Sequence, residues 1–482
     1  MRARLLSSLV LISIFALNIG CGGNASPANP TVPVFTNASL TGAYTFTSQG
    51  VNSTGPFSLV ATFSADGHGL ISNGHTFYNV FNGITAGGFG NQEMTGTYTV
   101  SPAGQVVLNL DTQIVGPVTV NVVLTSLQHG ELMSFQNAAT ASGSLDKQAP
   151  SAFGQTSIAG TFAFNVKGRD QAGNPEASVG VFTVDASGNI VGGTQDVNDN
   201  GVLRTNSTIT PGPPSVMELL PDLGRGGVQF VSSTEGLQGF SCIVVDANHF
   251  KLQGNSGTLA GDAYRVTDTS VPTSMAFTMQ GFYLGSAAVE GGIVHTDGAG
   301  NILDTSVRDG NLGGIIGNSN QTGTYAVTGN RVTMSLNALN LVGYPSSGGM
   351  QLLTLDNDMI VTGVAYAQTG PFSNTSPSGS YSVGISGGST RGEVDAVAQI
   401  NSTTSGILSG SLIQNEAGNL VSNAAVTANY ATDASGRGAG TLIINGNTQH
   451  VTFYTVDSSR ILFIETDSQV VLQGMLVKQT GQ

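Results

Sequence analysis

From residue 43 to the end, hydrophobic and polar side chains alternate in short runs, and the runs recur. Four segments open alike: "AYTFTSQG" (43–50), "TFAFNVKG" (161–168), "SMAFTMQG" (274–281) and "SYSVGISG" (380–387). Their large apolar residues fall on the same alternate positions, namely Tyr44/Phe46, Phe162/Phe164/Val166, Met275/Phe277/Met279 and Tyr381/Val383/Ile385. A period of two in a fixed phase predicts strands with one buried face. Each opening is followed by a second alternating run and a glycine-bearing turn: "VATFSADGHGLI", "VGVFTVDASGNI", "GGIVHTDGAGNI" and, in degenerate form, "AVAQINSTTSGIL". The openings are 118, 113 and 106 residues apart, a fourfold repeat with a period near 110. Closings recur too, as "SGSLDKQ" (142–148), "AGDAYRV" (260–266), "TGVAYAQ" (362–368) and "QGMLVKQ" (473–479).

Turn signals cut the first unit into about eight runs, near 43–50, 57–64, 70–79, 94–101, 105–111, 117–126, 131–136 and 141–147. No stretch carries apolar residues at helical spacing over three turns. Connections this short make sequence neighbours pair as hairpins. The expected fold is all-β: four tandem antiparallel meander units, each an eight-stranded up-and-down barrel of lipocalin or streptavidin type, which leaves no open sheet edge. A β-propeller with two blades per unit is the alternative, disfavoured because the halves of a unit do not resemble each other. The units are placed at 40–150, 156–267, 272–370 and 377–480. The "DGxGN" stretches read as hairpin turns whose glycines supply positive φ. An anion-binding loop would need a helix N-terminus to follow, and no helical pattern does.

Composition narrows the function. Charged residues are 9% of 482, against about 25% in a typical soluble chain, and the net charge is −14. The lysines are Lys147, Lys167, Lys251 and Lys478. No basic run tracks a phosphate backbone, so nucleic acid is excluded as a partner. The surface must draw its polarity from Ser, Thr, Asn, Gln and Gly.

The N-terminus "MRARLLSSLVLISIFALNIGC" has two arginines, an apolar stretch from Leu5 to Ile19, then Gly20-Cys21. This is the charged start, apolar middle and small-residue cleavage site of a secretory signal. With Cys directly after the small residue, it resembles a bacterial lipoprotein signal; Asn18 stands where such signals usually carry Leu, with Leu17 one place earlier. The resemblance implies a signal peptide at 1–20, lipid (palmitate) on Cys21 as the mature N-terminus, and a flexible tether over 21–39. Gly22 is not the acidic residue that holds lipoproteins at the inner membrane, so the resemblance implies the outer membrane or cell surface. Together with the tandem β units, the chain resembles uncharacterised repeat-bearing bacterial surface lipoproteins. That likeness supplies a membrane partner through the lipid and no activity.

Candidate chemistry is sparse. Asp196, Asn198 and Asn200 of "DVNDNGVL" stand at the first, third and fifth places of a calcium loop, with Gly201 and Leu203 suitably placed. The twelfth place is Ser207 rather than the bidentate Glu such loops need. They are a weak calcium candidate beside the plainer reading of a polar turn, and no metal or other cofactor is expected. "GISGG" (384–388) matches a nucleophile-elbow pattern, but Ser386 aligns with Gln49, Lys167 and Gln280 at the end of the opening strand, with no helix to follow. His68, His75, His129, His249, His295 and His450 are dispersed and keep no shared place in the repeats. Glu465/Asp467 and Asp356/Asp358 alternate onto one strand face, at a spacing any alternate pair satisfies. Cys242, the remaining cysteine, reads as a small buried hydrophobe. No catalytic residues emerge. The expected function is a non-catalytic binding or structural (adhesion) module meeting an envelope or extracellular partner. A carrier of a small apolar ligand in a barrel cavity is the alternative, and an envelope-polymer hydrolase is supported least.

Overall fold

The structure is a computed structural model that describes residues 34–81, 86–113, 115–136, 138–220, 224–337, 339–374 and 377–481. The signal peptide, Cys21 and most of the tether lie outside the described residues.

The fold is all-β, four antiparallel barrels in tandem. The first, third and fourth are closed, eight-stranded and up-and-down, each strand pairing with its sequence neighbours and the last with the first. Their opening strands are Thr41–Asn52, Ser274–Tyr283 and Gly379–Ser389, and their last strands Ala139–Lys147, Met359–Ala367 and Val470–Lys478. The second barrel runs from Gly160–Arg169 to Ala260–Arg265 and has nine strands. Its fourth strand, Val202–Thr210, stops before the proline-bearing stretch 211–214, since proline cannot donate to a ladder. The chain then runs back as a short extra strand, Val216–Leu220, laid on Arg225–Ser232. Two residue pairs, Ile209 with Ser232 and Thr210 with Val231, close the ring, and the extra strand is seated in the wall beside them, its other edge bonded to Gly188 and Ile190 at the start of the third strand.

The "DGxGN" stretches are the turns between second and third strands. The Asp66 carboxylate accepts from the amides of His68, Gly69 and Leu70 at 2.7–2.9 Å. Asp297 does the same for Ala299 and Asn301 at 2.7 and 3.0 Å. Gly67 and Gly298 sit at φ 82° and 72°, where a side chain would be strained.

Inward positions fill the barrels. Tyr44, Phe46, Phe63 and Tyr98 pack the first, and six phenylalanines (162, 164, 182, 230, 240 and 250) pack the second. Cys242 is buried in that second core. The third is packed largely by Met and Leu. The fourth has Ala396, Ala398 and Ala424 at core positions and keeps an apolar void of about 80 Å³. That is short of the ~300 Å³ at which ligand pockets begin.

Alternation was expected to bury one face of each strand. In the opening strands the other face is buried as well: Thr45 and Thr47 beside Tyr44 and Phe46, and Ala163 beside Phe162. The barrels pack side by side in a cycle, first on second, second on third, third on fourth and fourth back on first. Apolar clusters join second to third around Tyr344, third to fourth around Tyr454, and fourth to first around Met133 and Ile413.

Candidate functional site

The cycle is held by one device used four times. Near the end of each third strand an asparagine reaches into the next barrel. Asn198 donates to the carbonyls of Thr354, Asp356 and Met359 at 3.0–3.5 Å. Asn311 does so to Glu465, Asp467 and Val470 at 2.8–3.2 Å. Asn415 closes the cycle on the first barrel through Ser134, Gln136 and Ala139 at 2.7–3.1 Å. Asn79 donates to Gly254 of the second barrel. The acceptors lie where the seventh barrel strand ends, in the turn that follows it, or at the first residue of the eighth strand. Each of the three later asparagines also accepts, on Oδ1, the amide of the glycine three residues on: Gly201, Gly314 and Gly418, at 2.9–3.0 Å. At Gly201 a side chain would meet the Asn357 carbonyl at 2.2 Å, and at Gly314 the Ser468 carbonyl at 2.4 Å, so close approach demands glycine there.

Two residues before the asparagine, two barrels carry a buried aspartate. Asp196 takes a bidentate pair from Arg331 at 2.7 and 2.8 Å and a hydroxyl from Tyr344 at 2.5 Å. Asp309 takes the same from Arg437 at 2.6 and 2.9 Å and from Tyr454 at 2.8 Å. At the closing junction Ile413 stands in that place, against Val123 and Met133. The closing glutamines form a second seam: Gln148, Gln368 and Gln479 each donate at 2.7 Å to the next barrel, on the carbonyls of Val244, Thr455 and Leu124.

Several sequence candidates belong to these clamps. Asp196 and Asn198 of the calcium candidate bind the third barrel as above. Asn200 forms the turn at φ 50°. Glu465/Asp467 and Asp356/Asp358 are not on one strand face; they sit at and beyond the ends of the strands Arg460–Glu465 and Met350–Thr354, in the turns that the asparagines grip. Glu465 is buried, which pushes its carboxyl up to about 9. The histidines are not wholly dispersed. His129 and His249 both open the strand before the last of their barrels, His129–Ser134 and His249–Gly254. They flank a buried relay across the first junction: His129 meets Asp146 at 2.7 Å, Lys251 meets Asp146 at 2.6 Å and Asp262 at 3.6 Å, and His249 meets Asp262 at 2.7 Å. Burial pulls His129 down, but Asp146 and Glu131 outweigh it and raise it to about 10. Burial likewise pulls Asp146 up, yet Lys251 and His129 hold it well below the carboxylate range.

Inside the cycle the four barrels enclose an axial channel of about 750 Å³, lined from every barrel. Gln49, Lys167, Gln280 and Ser386, the equivalent positions of the four opening strands, all line it. Gln280 is the hub: its Oε1 accepts from Lys167 Nζ at 3.2 Å, Ser386 Oγ at 2.9 Å and Gln473 Nε2 at 3.2 Å. Gln49 donates to the Lys167 carbonyl at 2.8 Å. Ser386 is thus an amide partner on the axis. Arg169 and Glu393 also line the channel, and Asp395, paired with Ser386 in the sheet, lies beside Glu393 and Ser142. Burial, then Asp395, raises Glu393 well above its ordinary value, and burial lifts Asp395 to about 7. Among the described residues no group of three or more His, Cys, Asp or Glu is arranged to hold a metal ion.

No family model matches this chain, and no curated protein matches it. A mutant of transferrin binding protein B from Haemophilus parasuis is 11% identical over 75% of this chain and 83% of its own, with a TM-score of 0.22. The isotype 1 transferrin binding protein B from serogroup B Neisseria meningitidis is 10% identical over 77% and 82%, with a TM-score of 0.21. At overlaps of this order neither partner nor activity passes from those proteins to this chain.

Proposed function

We propose that this is an exported, lipid-anchored surface protein that works as a non-catalytic binding or structural module, with Cys21 as the lipid-bearing residue and an envelope or extracellular component as partner. The observation that carries the reading is the closed cycle itself. Four barrels locked by Asn79, Asn198, Asn311 and Asn415 form a preorganised body, and preorganisation lowers the ordering cost of binding. The polar groups concentrated on its axis come from different barrels, so the site exists only when the cycle is closed. The acid pairs the sequence offered a hydrolase, Glu465/Asp467 and Asp356/Asp358, are instead parts of gripped turns. The carrier alternative has only the fourth barrel's void of about 80 Å³ in its favour.

Two experiments test this. Cells fed labelled palmitate should label the protein and not its Cys21→Ser variant; equal labelling removes the anchor. The purified protein, immobilised and washed with envelope extract, should retain a component that a denatured control does not. Retention of nothing above that control overturns the binding reading.

A further inference from the structure

Resting on the reading of a binding module, the axial channel assigns a ligand class. Its volume, about 750 Å³, falls in the range of ligand pockets, ~300–1,000 Å³. Lys167 and Arg169 stand on one face of the second barrel's opening strand, and Glu393 and Asp395 on one face of the fourth barrel's second strand, Gly392–Ser402. Those barrels are not neighbours in the cycle, yet the charges act on one another electrostatically. No ion pair within 4.0 Å joins them among the described residues. Lys167 Nζ has three protons to donate and gives one to Gln280. Asp395 is fully buried and stands behind the lining, beside Glu393, rather than on it. Burial makes Glu393 reluctant to ionise, so a cation beside it and an anion beside Lys167 would each supply a charge partner that the channel wall itself lacks.

The wall also tells against a sugar. Each lining aromatic already has a partner on its ring: Tyr264 stacks on His249 at 4.3 Å, Arg460 lies over Tyr366 at 4.2 Å, and Arg169 over Phe282 at 4.5 Å. Gly348 is packed on Tyr264 so tightly that a side chain there would meet the ring at 2.5 Å. What the wall offers instead is primary amides, Gln49, Gln280, Gln351 and Gln473, of which Gln280 keeps its Nε2 clear of hydrogen bonds among the described residues. Val51 and Gly392 on the lining are exposed, so the channel is open to solvent near Glu393.

We infer that the channel binds a short zwitterionic peptide, its carboxylate toward Lys167 and Arg169, its ammonium toward Glu393, and its amides on the glutamines between. The test is calorimetric titration of the full-length protein in detergent with trialanine, N-acetyl-trialanine, trialanine amide and maltotriose. Trialanine should bind, and either cap should weaken binding about tenfold or more. Lys167→Gln, which installs the residue the first and third barrels carry here, should abolish the difference between trialanine and its amide while keeping the effect of acetylation. Glu393→Gln should do the reverse. The inference is overturned if trialanine gives no heat at about 10 mM, if capped and free peptides bind alike, or if maltotriose binds and trialanine does not. Should a variant not fold, the capped peptides on the unaltered protein still decide. A component retained from envelope extract without trialanine binding would leave the binding module standing and remove only this ligand.

Discussion

Replacing Asn415 by alanine attacks the one junction of the cycle that no peptide linker spans. The side chain donates to three carbonyls at 2.7–3.1 Å and accepts from the Gly418 amide at 2.9 Å and the Thr140 hydroxyl at 3.0 Å. It is fully buried, so the groups left behind cannot all reach water. An amide has two protons, so the three donor contacts amount to about two bonds, and with the accepted ones about four are lost. At a net ~0.5–1.5 kcal/mol each, plus the penalty for buried groups left unpaired, the loss is about 3–5 kcal/mol. Apolar burial compensates less here than at the second-to-third and third-to-fourth junctions: the cluster holds four buried residues, against eight at each of those. At the low end the population with this junction open should rise about 10²-fold. The reporter is the Thr480 amide, which donates across the junction to the Thr125 carbonyl at 2.8 Å and lies far from residue 415 in sequence. Its hydrogen exchange, followed in the C-terminal peptide by mass spectrometry, should accelerate by that factor. The exposed Asn419, whose side chain bonds only within its own strand region, is the control. If Asn415→Ala accelerates exchange no more than Asn419→Ala, the asparagine clamps do not close the cycle.

Other consequences follow from the same contacts. Ala398→Leu puts three carbons into the fourth barrel's void and should stabilise that barrel by about 1–2 kcal/mol, whereas Ala263→Leu in the filled second barrel should destabilise by about 1–3 kcal/mol; thermal melts of both compare them. Lys251→Met leaves Asp146 with a broken buried pair and should cost about 3–5 kcal/mol, measured by denaturant titration. Asp146 is held below its ordinary value, so its contribution is complete above the unfolded carboxylate pKa of about 4 and is lost as pH falls through the lower folded value; the difference between protein and variant should therefore shrink in acid. Glu465 has the opposite sign: its carboxyl is raised to about 9, so relative to Glu465→Gln the native protein loses stability as pH rises from about 4.3 toward that value. Melting curves of the two should coincide near pH 4 and diverge upward; a constant gap would refute the assignment.

How much of this was legible in the chain depends on which face carried the information. Period two in a fixed phase, written four times, was enough for the barrels, and Asp66 and Asp297 fold back on their own amides as the turn reading requires. The extra strand Val216–Leu220 was not legible, because the break at 211–214 looks like any loop until its partner Arg225–Ser232 is known. The clamps were missed for a different reason. They sit on the polar positions of the strands, and a lone Asn near a strand end resembles a turn former. The available signal was Asn followed by Gly three residues later, at 198, 311 and 415, with Asp two residues before it in two of the three. Aligned by repeat rather than read singly, "DVNDNG" and "RDGNLGG" show the same arrangement, and the calcium-like spacing of Asp196 and Asn198 is that clamp seen once. The axis was half visible: Gln49, Lys167, Gln280 and Ser386 align in sequence, but nothing in a one-dimensional pattern says that four equivalent positions converge.

Convergence explains why those four positions differ. A cycle of identical barrels would bring four copies of one side chain to its axis. Four lysines there would repel one another, and four serines would be too short to meet across the axis. Here one lysine, two glutamines and one serine meet, and the glutamine of the third barrel accepts from its lysine and serine neighbours at once. The junctions diverged alongside. Aspartate, arginine and tyrosine hold the second to the third and the third to the fourth, while isoleucine, valine and methionine take over where the fourth meets the first. Substituting Asp309 therefore removes a charge pair with an equivalent only at the second-to-third junction, whereas substituting Asn311 removes a contact for which every junction has an equivalent. The repeated residues hold the body together, and the residues that differ let one lysine be met on the axis by amides and a hydroxyl instead of by copies of itself.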